Sequence, residues 1–206
     1  DNLDELKEQS PILFRAHGTV NKLWDEAKEK EMNIIDATCP LVYEIHHEVK
    51  TLAKDGRQII VIGDHGHDEV VGIASQTNEP IIVATPDEAS QLRKMKKAGI
   101  VSQSTQTIEN VQEIINVLMT KVFDLRFVNT ICFPTKRNQQ QLKDLSEKCD
   151  VMIVIGSFTS ANSKRLTQLA LERNKRSYQV TCVDDLEKHW FKEPDVVGIT
   201  AGASTP

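Results

Sequence analysis

Short runs of Ile, Val and Leu recur along the chain, and most are followed by a longer stretch in which apolar residues return every three or four positions. The runs read as buried strands and the stretches as amphipathic helices. Strands are expected at Ile12–Ala16, Asn33–Ala37, Gln58–Ile62, Pro80–Ala84, Ile100–Gln103, Leu125–Asn129, Val151–Ile155, Tyr178–Val183 and Val196–Thr200. Helices are expected at Asn21–Glu31, Pro40–Lys54, Glu69–Gln76, Asp87–Lys97, Ile108–Lys121, Gln139–Lys148, Asn162–Arg173 and Asp185–His189. Such alternation specifies an α/β protein built from βα units with mostly parallel sheets. The longest apolar runs, such as Val151 to Ile155, are far short of the roughly 20 residues that span a bilayer, so a soluble chain without a membrane partner is expected.

The polar residues concentrate where strands end. In order, the exits read His17-Gly18, Thr38-Cys39-Pro40, Gly63-Asp64-His65-Gly66-His67, Gln103-Ser104-Thr105, Thr130-Ile131-Cys132, Gly156-Ser157 through Asn162, and Gly202-Ala203-Ser204. In open parallel sheets ligands bind beyond the carboxyl ends of strands, where helix N-termini offer free N–H groups. Packing alone gives no reason for this one-sided placement. A repeat sharpens it: Gly63 lies 24 positions after Cys39, and Gly156 lies 24 after Cys132. Ile59 to Gly63 echoes Met152 to Gly156, which makes two copies of one βα unit with a boundary near residues 122–130. Phe14 to Gly18 then resembles the closing strand of an earlier copy whose cysteine would precede residue 1.

Composition narrows the chemistry. The 206 residues carry 25 Lys and Arg against 30 Asp and Glu, a net charge of -5, which argues against a nucleic-acid partner. The one locally basic segment, Arg93 to Lys97, reads as the solvated end of a helix. Four cysteines form no disulfide framework and no charged-then-apolar leader precedes the first strand, so a reducing cytoplasm is expected. Cys39 and Cys132 each stand at a strand exit before a Pro-containing turn, where a helix N-terminus stabilises a thiolate. Their equivalent places in the repeat favour metal ligation over two buried thiols, whereas Cys149 and Cys182 are assigned to packing. In Gly63 to Val70, helix capping accounts for Asp68 and Glu69 but leaves His67 unexplained. Ser157 to Ser163 gathers more hydroxyl and amide groups than one helix cap needs, which suits an anion cradle, with no Walker lysine or dinucleotide fingerprint. His46, His47 and His189 read as surface or half-buried helix residues.

The strings Arg15-Ala16-His17-Gly18-Thr19, Asp36-Ala37-Thr38-Cys39-Pro40-Leu41-Val42, Gly66-His67-Asp68-Glu69-Val70, Ser102-Gln103-Ser104-Thr105, Thr130-Ile131-Cys132, Ser160 to Leu166 and Thr200 to Ser204 occur in this order. Together they resemble the 4-hydroxy-3-methylbut-2-enyl diphosphate reductases over essentially the whole chain. The resemblance implies a trefoil-like arrangement of α/β units with a central site at the strand C-terminal ends, here residues 1–39, 40–128 and 129–206. It implies reductive loss of a hydroxyl from the allylic diphosphate, giving isopentenyl and dimethylallyl diphosphate. It further implies a [4Fe-4S] cluster with Cys39 and Cys132 as two ligands and a third cysteine outside this sequence. His17, His67, Ser160, Ala161, Asn162 and Ser204 fall in the diphosphate-binding set, Glu69 at the proton-delivering acid, and Ser104 and Thr105 at the paired hydroxyls beside it. Ser104 stands where the family usually has Thr, and Ala161 where a Ser is common. A ferredoxin or flavodoxin type of electron donor is implied. Two other readings stay open: a diphosphate-binding module without a complete cluster, and a zinc hydrolase using Cys39, Cys132, His17 and His67.

Overall fold

The run Gln58 to Ile62 is buried along nearly its whole length, as a strand with neighbours on both edges and helices on its face must be. The computed structural model describes residues 3, 6–7, 9–202 and 205. Each expected strand is present among them, and every strand pair is parallel. The first sheet pairs β1 (Pro11–Phe14) with β2 (Asn33–Asp36). The second holds β3 (Gln58–Ile62), β4 (Ile81–Val83), β5 (Met95–Ser102) and β6 (Val122–Phe127) in the order β4-β3-β5-β6. The third holds β7 (Val151–Ile155), β8 (Ser177–Val180) and β9 (Val197–Ala201) in the order β8-β7-β9. The chain falls into two units, one of residues Asp1–Ser104 with Glu109–Thr130, the other of Thr105–Ile108 with Ile131–Pro206.

In the first unit, α1 (Asn21–Glu29), α2 (Pro40–Lys54), α3 (Asp68–Ala74), α4 (Pro86–Gln91) and α5 (Ile108–Met119) connect the strands. α2 starts with Pro at its first position, where the missing N–H costs nothing. It buries Val42, Ile45, His46, Val49 and Leu52 on one stripe, and Ile45, Val49 and Leu52 join Ile59, Val61, Val70, Ile73 and Val101 in a single core. Burying aliphatic side chains of this kind contributes about 1.5–3 kcal/mol each, so α2 is the main clamp on β3 and β5. Gly99 lets it approach: a Cβ there would stand 2.8 Å from the Leu52 Cβ. The second unit packs α6 (Phe133–Ser146) and α7 (Ala161–Arg173) on β7 through Leu142, Met152, Val154, Leu166, Leu169 and Ala170.

Four expectations are corrected. The helix expected over Asp87–Lys97 stops at Gln91, and β5 starts at Met95, because Met95 to Lys97 pair with β6 alone. Lys96 and Lys97 are therefore exposed on a one-sided strand start, a placement that discourages stray edge pairing. α6 begins at Phe133 rather than Gln139, since Pro134 occupies the first turn instead of preceding the helix. Asp185–His189 forms no α-helix but runs from the end of one 3-10 turn, Val183–Asp185, into a second, Lys188–Trp190. There the Asp185 carboxylate accepts from the Thr181 and Cys182 N–H groups at 2.6 and 3.2 Å, closing a local turn that competes with a helix. Finally, Cys182 is exposed instead of packed, while Cys149 does pack against the second unit's core.

Replacing Gly99 with Ala drives a methyl group into Leu52. The expected loss is about 1–3 kcal/mol in urea unfolding; a variant as stable as the parent would show that α2 is not closely seated on β5.

Candidate active site

Within the first unit, the turns that leave β1, β3 and β5 bring their polar residues together. α3 is capped by His67, whose Nδ1 accepts from the Glu69 N–H at 3.2 Å. An accepting Nδ1 leaves the proton of the uncharged ring on Nε2, a donor on the side of the ring away from the cap. The His17 and His67 rings stand edge to face with centroids 5.5 Å apart. An ion pair of 2.8 Å between Arg15 and Asp68 joins the two turns that carry them. His65 turns away to Glu88, at 2.8 Å, and takes no part in this group.

Glu69 is only 2% exposed, and its carboxylate is gripped at both oxygens. The Ser104 N–H donates to Oε1 at 2.6 Å and the Ser104 hydroxyl to Oε2 at 2.9 Å. The neighbouring Gln103 is fully buried and accepts the Asp64 N–H on Oε1 at 3.1 Å, fixing the loop that leads to His67. Gly63 makes room for this, since a Cβ there would meet Val70 at 2.5 Å and Gln103 at 3.1 Å. Cys39 is a free, half-buried thiol at the N-cap of α2, and its N–H donates to the Ala16 carbonyl at 3.0 Å.

The second unit holds a parallel set. Cys132 is the N-cap of α6, with its Sγ 2.9 Å from the Thr135 hydroxyl. Ser160 caps α7 by accepting the Ser163 N–H at 3.3 Å, so capping explains this one hydroxyl. Ala161 opens the helix and Asn162 is 9% exposed beside it. Gly156 and Gly202 leave the space filled by Ser163, whose Oγ would lie 2.1 and 2.5 Å from Cβ atoms at those positions. Arg165 holds Thr105 through its carbonyl and hydroxyl at 3.3 and 3.2 Å. Ser204 lies outside the described residues.

The family model described as LytB protein matches residues 1–206. The chain belongs to the LytB family. A 4-hydroxy-3-methylbut-2-enyl diphosphate reductase of Geotalea uraniireducens is 40% identical over 196 residues, covering 95% of this chain and 70% of the relative. The same enzyme of a Nitratiruptor species is 38% identical over 206 residues, covering 100% of this chain and 75% of the relative. Among solved structures, the E-1-hydroxy-2-methyl-but-2-enyl-4-diphosphate reductase of Plasmodium falciparum superposes with a TM-score of 0.94 at 31% identity. That match covers the whole of this chain and 66% of the other, so the LytB chain described here spans about two thirds of it. A second reductase structure, described as the terminal enzyme of the non-mevalonate pathway, gives 0.68 at 33% identity.

Among the described residues of this LytB chain, no group of three or more His, Cys, Asp or Glu is placed to hold a metal ion. Cys39 and Cys132, two soft thiols at helix starts and neither in a disulfide, are of the donor type that iron–sulfur clusters and zinc both take. Sequence reasoning misplaced His46: it is 6% exposed, within the buried stripe of α2. Its spacing from Val42 and Val49, four and three residues away, was the available signal. Gln103 and Arg165 also went without a role, because their contacts are tertiary, and so did Thr135, whose hydroxyl faces Cys132 one helical turn earlier.

Burial and the nearby Lys50 charge push the His46 imidazole down from its ordinary 6.5 to about 4. Unfolded chain therefore binds an extra proton between those values, and stability present above pH 6.5 falls as the pH drops toward 4. The expected loss is on the order of 3 kcal/mol. His46→Phe should flatten this part of the profile in denaturant titrations; an unchanged slope would place its origin elsewhere.

Proposed function

We propose that the protein catalyses the two-electron reductive dehydroxylation of 4-hydroxy-3-methylbut-2-enyl diphosphate to isopentenyl and dimethylallyl diphosphate. The observation that carries this reading is the doubly held Glu69 carboxylate beside the His17–His67 pair, in a chain whose whole length matches the LytB family. His17, His67, Ser160, Ala161, Asn162 and Ser204 form the diphosphate-binding set. His67 contributes the Nε2–H that its capping role sets on the far side of the ring, and Ala161 a backbone N–H at the start of α7. Remote anion binding of this kind orients the carbon chain for reaction.

Glu69 and Ser104 handle the proton. With Oε1 fixed by the Ser104 N–H, a proton taken up from solvent on Glu69 Oε2 can pass, directly or by way of the Ser104 hydroxyl, to the departing hydroxyl group, which leaves as water. Thr105, held by Arg165, supplies a second hydroxyl. Cys39 and Cys132 would be two ligands of a [4Fe-4S] cluster, with the third cysteine supplied from outside this sequence. When bound, the cluster would supply the electrons and a Lewis-acidic iron. A ferredoxin or flavodoxin type of donor would deliver those electrons. Residues 1–39, 40–128 and 129–206 serve as three α/β units of the chain. Free cysteines and a biosynthetic role support a cytoplasmic setting.

Protein isolated anaerobically together with the segment that supplies the third cysteine is expected to be brown and to contain iron and sulfide; colourless protein with stoichiometric zinc would sink the reading. Glu69→Gln should keep the cluster and substrate binding and lose at least about 100-fold in turnover with a chemical reductant, the usual range for removing a general acid. Undiminished turnover would remove Glu69 from the reaction.

A further inference from the structure

Two buried side-chain atoms among the described residues have no hydrogen-bond partner, and one of them is His46 Nε2. Folded proteins rarely leave a buried polar nitrogen unpaired, so such an atom calls for a reason. The surroundings of Nε2 supply one. A Cβ built on Gly18 would stand 3.0 Å from His46 Cε1 and 3.3 Å from Nε2, so the ring lies directly under the His17–Gly18 turn. A Cβ built on Gly72 would stand 3.7 Å from Nε2 and 3.5 Å from the His17 carbonyl oxygen. The orphaned nitrogen and that carbonyl thus flank one methyl-sized space beside α3. No hydrogen bond of the described residues ends on the His17 carbonyl.

The turn is tied before His17, where the Ala16 carbonyl accepts the Cys39 N–H, and is closed by the Gly18 N–H on the Arg15 carbonyl at 3.2 Å, while Gly18 itself adopts a φ of +85°, open to glycine at no steric cost. We propose that His46 is a positioning residue for His17: when a diphosphate draws on the His17 ring, the His17–Gly18 turn settles toward α2, and His46 Nε2–H donates to the His17 carbonyl across the space beside Gly72. This rests on the reading of His17 as a diphosphate ligand. It gives α2, which follows directly from Cys39, a second role, because its buried stripe then senses whether the anion site is filled. The hydrogen bond forms in the bound state only, so its energy adds to ligand binding and not to the free fold.

The test titrates the protein with inorganic pyrophosphate, using calorimetry and imidazole nitrogen NMR. The His46 Nε2–H signal should move downfield on saturation, although His46 does not touch the anion. Gly72→Ala is the decisive variant. Its methyl meets only ordinary van der Waals distances and Ala is the better helix former, so its Tm should hold or rise. Its pyrophosphate affinity should nevertheless fall roughly 2- to 10-fold, the worth of one neutral hydrogen bond. His46→Phe should weaken binding by a similar factor, and His17→Ala by more. Parental affinity in Gly72→Ala and His46→Phe, with His17→Ala impaired, would overturn the positioning role alone. Parental affinity in His17→Ala, or no uptake by the parent protein, would overturn the anion-site reading and this inference with it.

Discussion

The Glu69 carboxylate is enclosed by protein, and a carboxylate so placed must find its partners within the fold. Ser104 provides both, one from its backbone and one from its side chain. This single junction ties the first turn of α3 to the tip of β5. Through the cap on the Glu69 N–H it also sets the ring of His67, and through Gln103 it fixes the loop before that ring. The polar groups of the first unit are therefore held by a connected set of hydrogen bonds whose centre is a buried acid. Loosening that acid would release the imidazole and the loop together, which is how a mutation at Ser104 reaches residues it does not touch.

The second unit reaches a comparable result by different means. Its polar residues are seated by close approach: Ser163 fits into the space left by two glycines, Ser160 caps α7, and Arg165 restrains Thr105. Both units place a cysteine at the N-cap of a helix with Pro in its first turn. A proline there removes one N–H that would otherwise need a partner and pre-sets the helical φ, so the thiol enters from a stiffened corner.

Much of this is legible in the chain itself. Parallel strands announce themselves as short apolar runs, and the nine runs from Ile12 to Thr200 all form strands, the central ones β3 and β7 because their burial leaves no alternative. The strand exits carry the polar chemistry for the same reason that parallel sheets expose their carboxyl ends. Local patterning fails where tertiary partners decide. Met95 to Lys97 look helical until β6 offers them a ladder, and Asp185 looks like a helix start until it closes its own turn on Thr181. His46 is hidden by its type, since a histidine beside a second histidine suggests a wet surface, yet its spacing from Val42 and Val49 puts it inside. Ser104 is legible as a hydroxyl at a strand exit. Its grip on Glu69, 35 residues earlier, is not, because no local pattern records a contact between a strand tip and a distant helix start.

The seat of Ser163 has one more consequence. Its hydroxyl occupies ground that Gly156 and Gly202 both vacate, so three positions far apart in the chain share one small volume. Random mutagenesis libraries, which sample one codon at a time, should therefore recover no larger residue at any of the three. A larger residue at 156 or 202 therefore needs a smaller one at 163 first, since neither glycine has volume to give up.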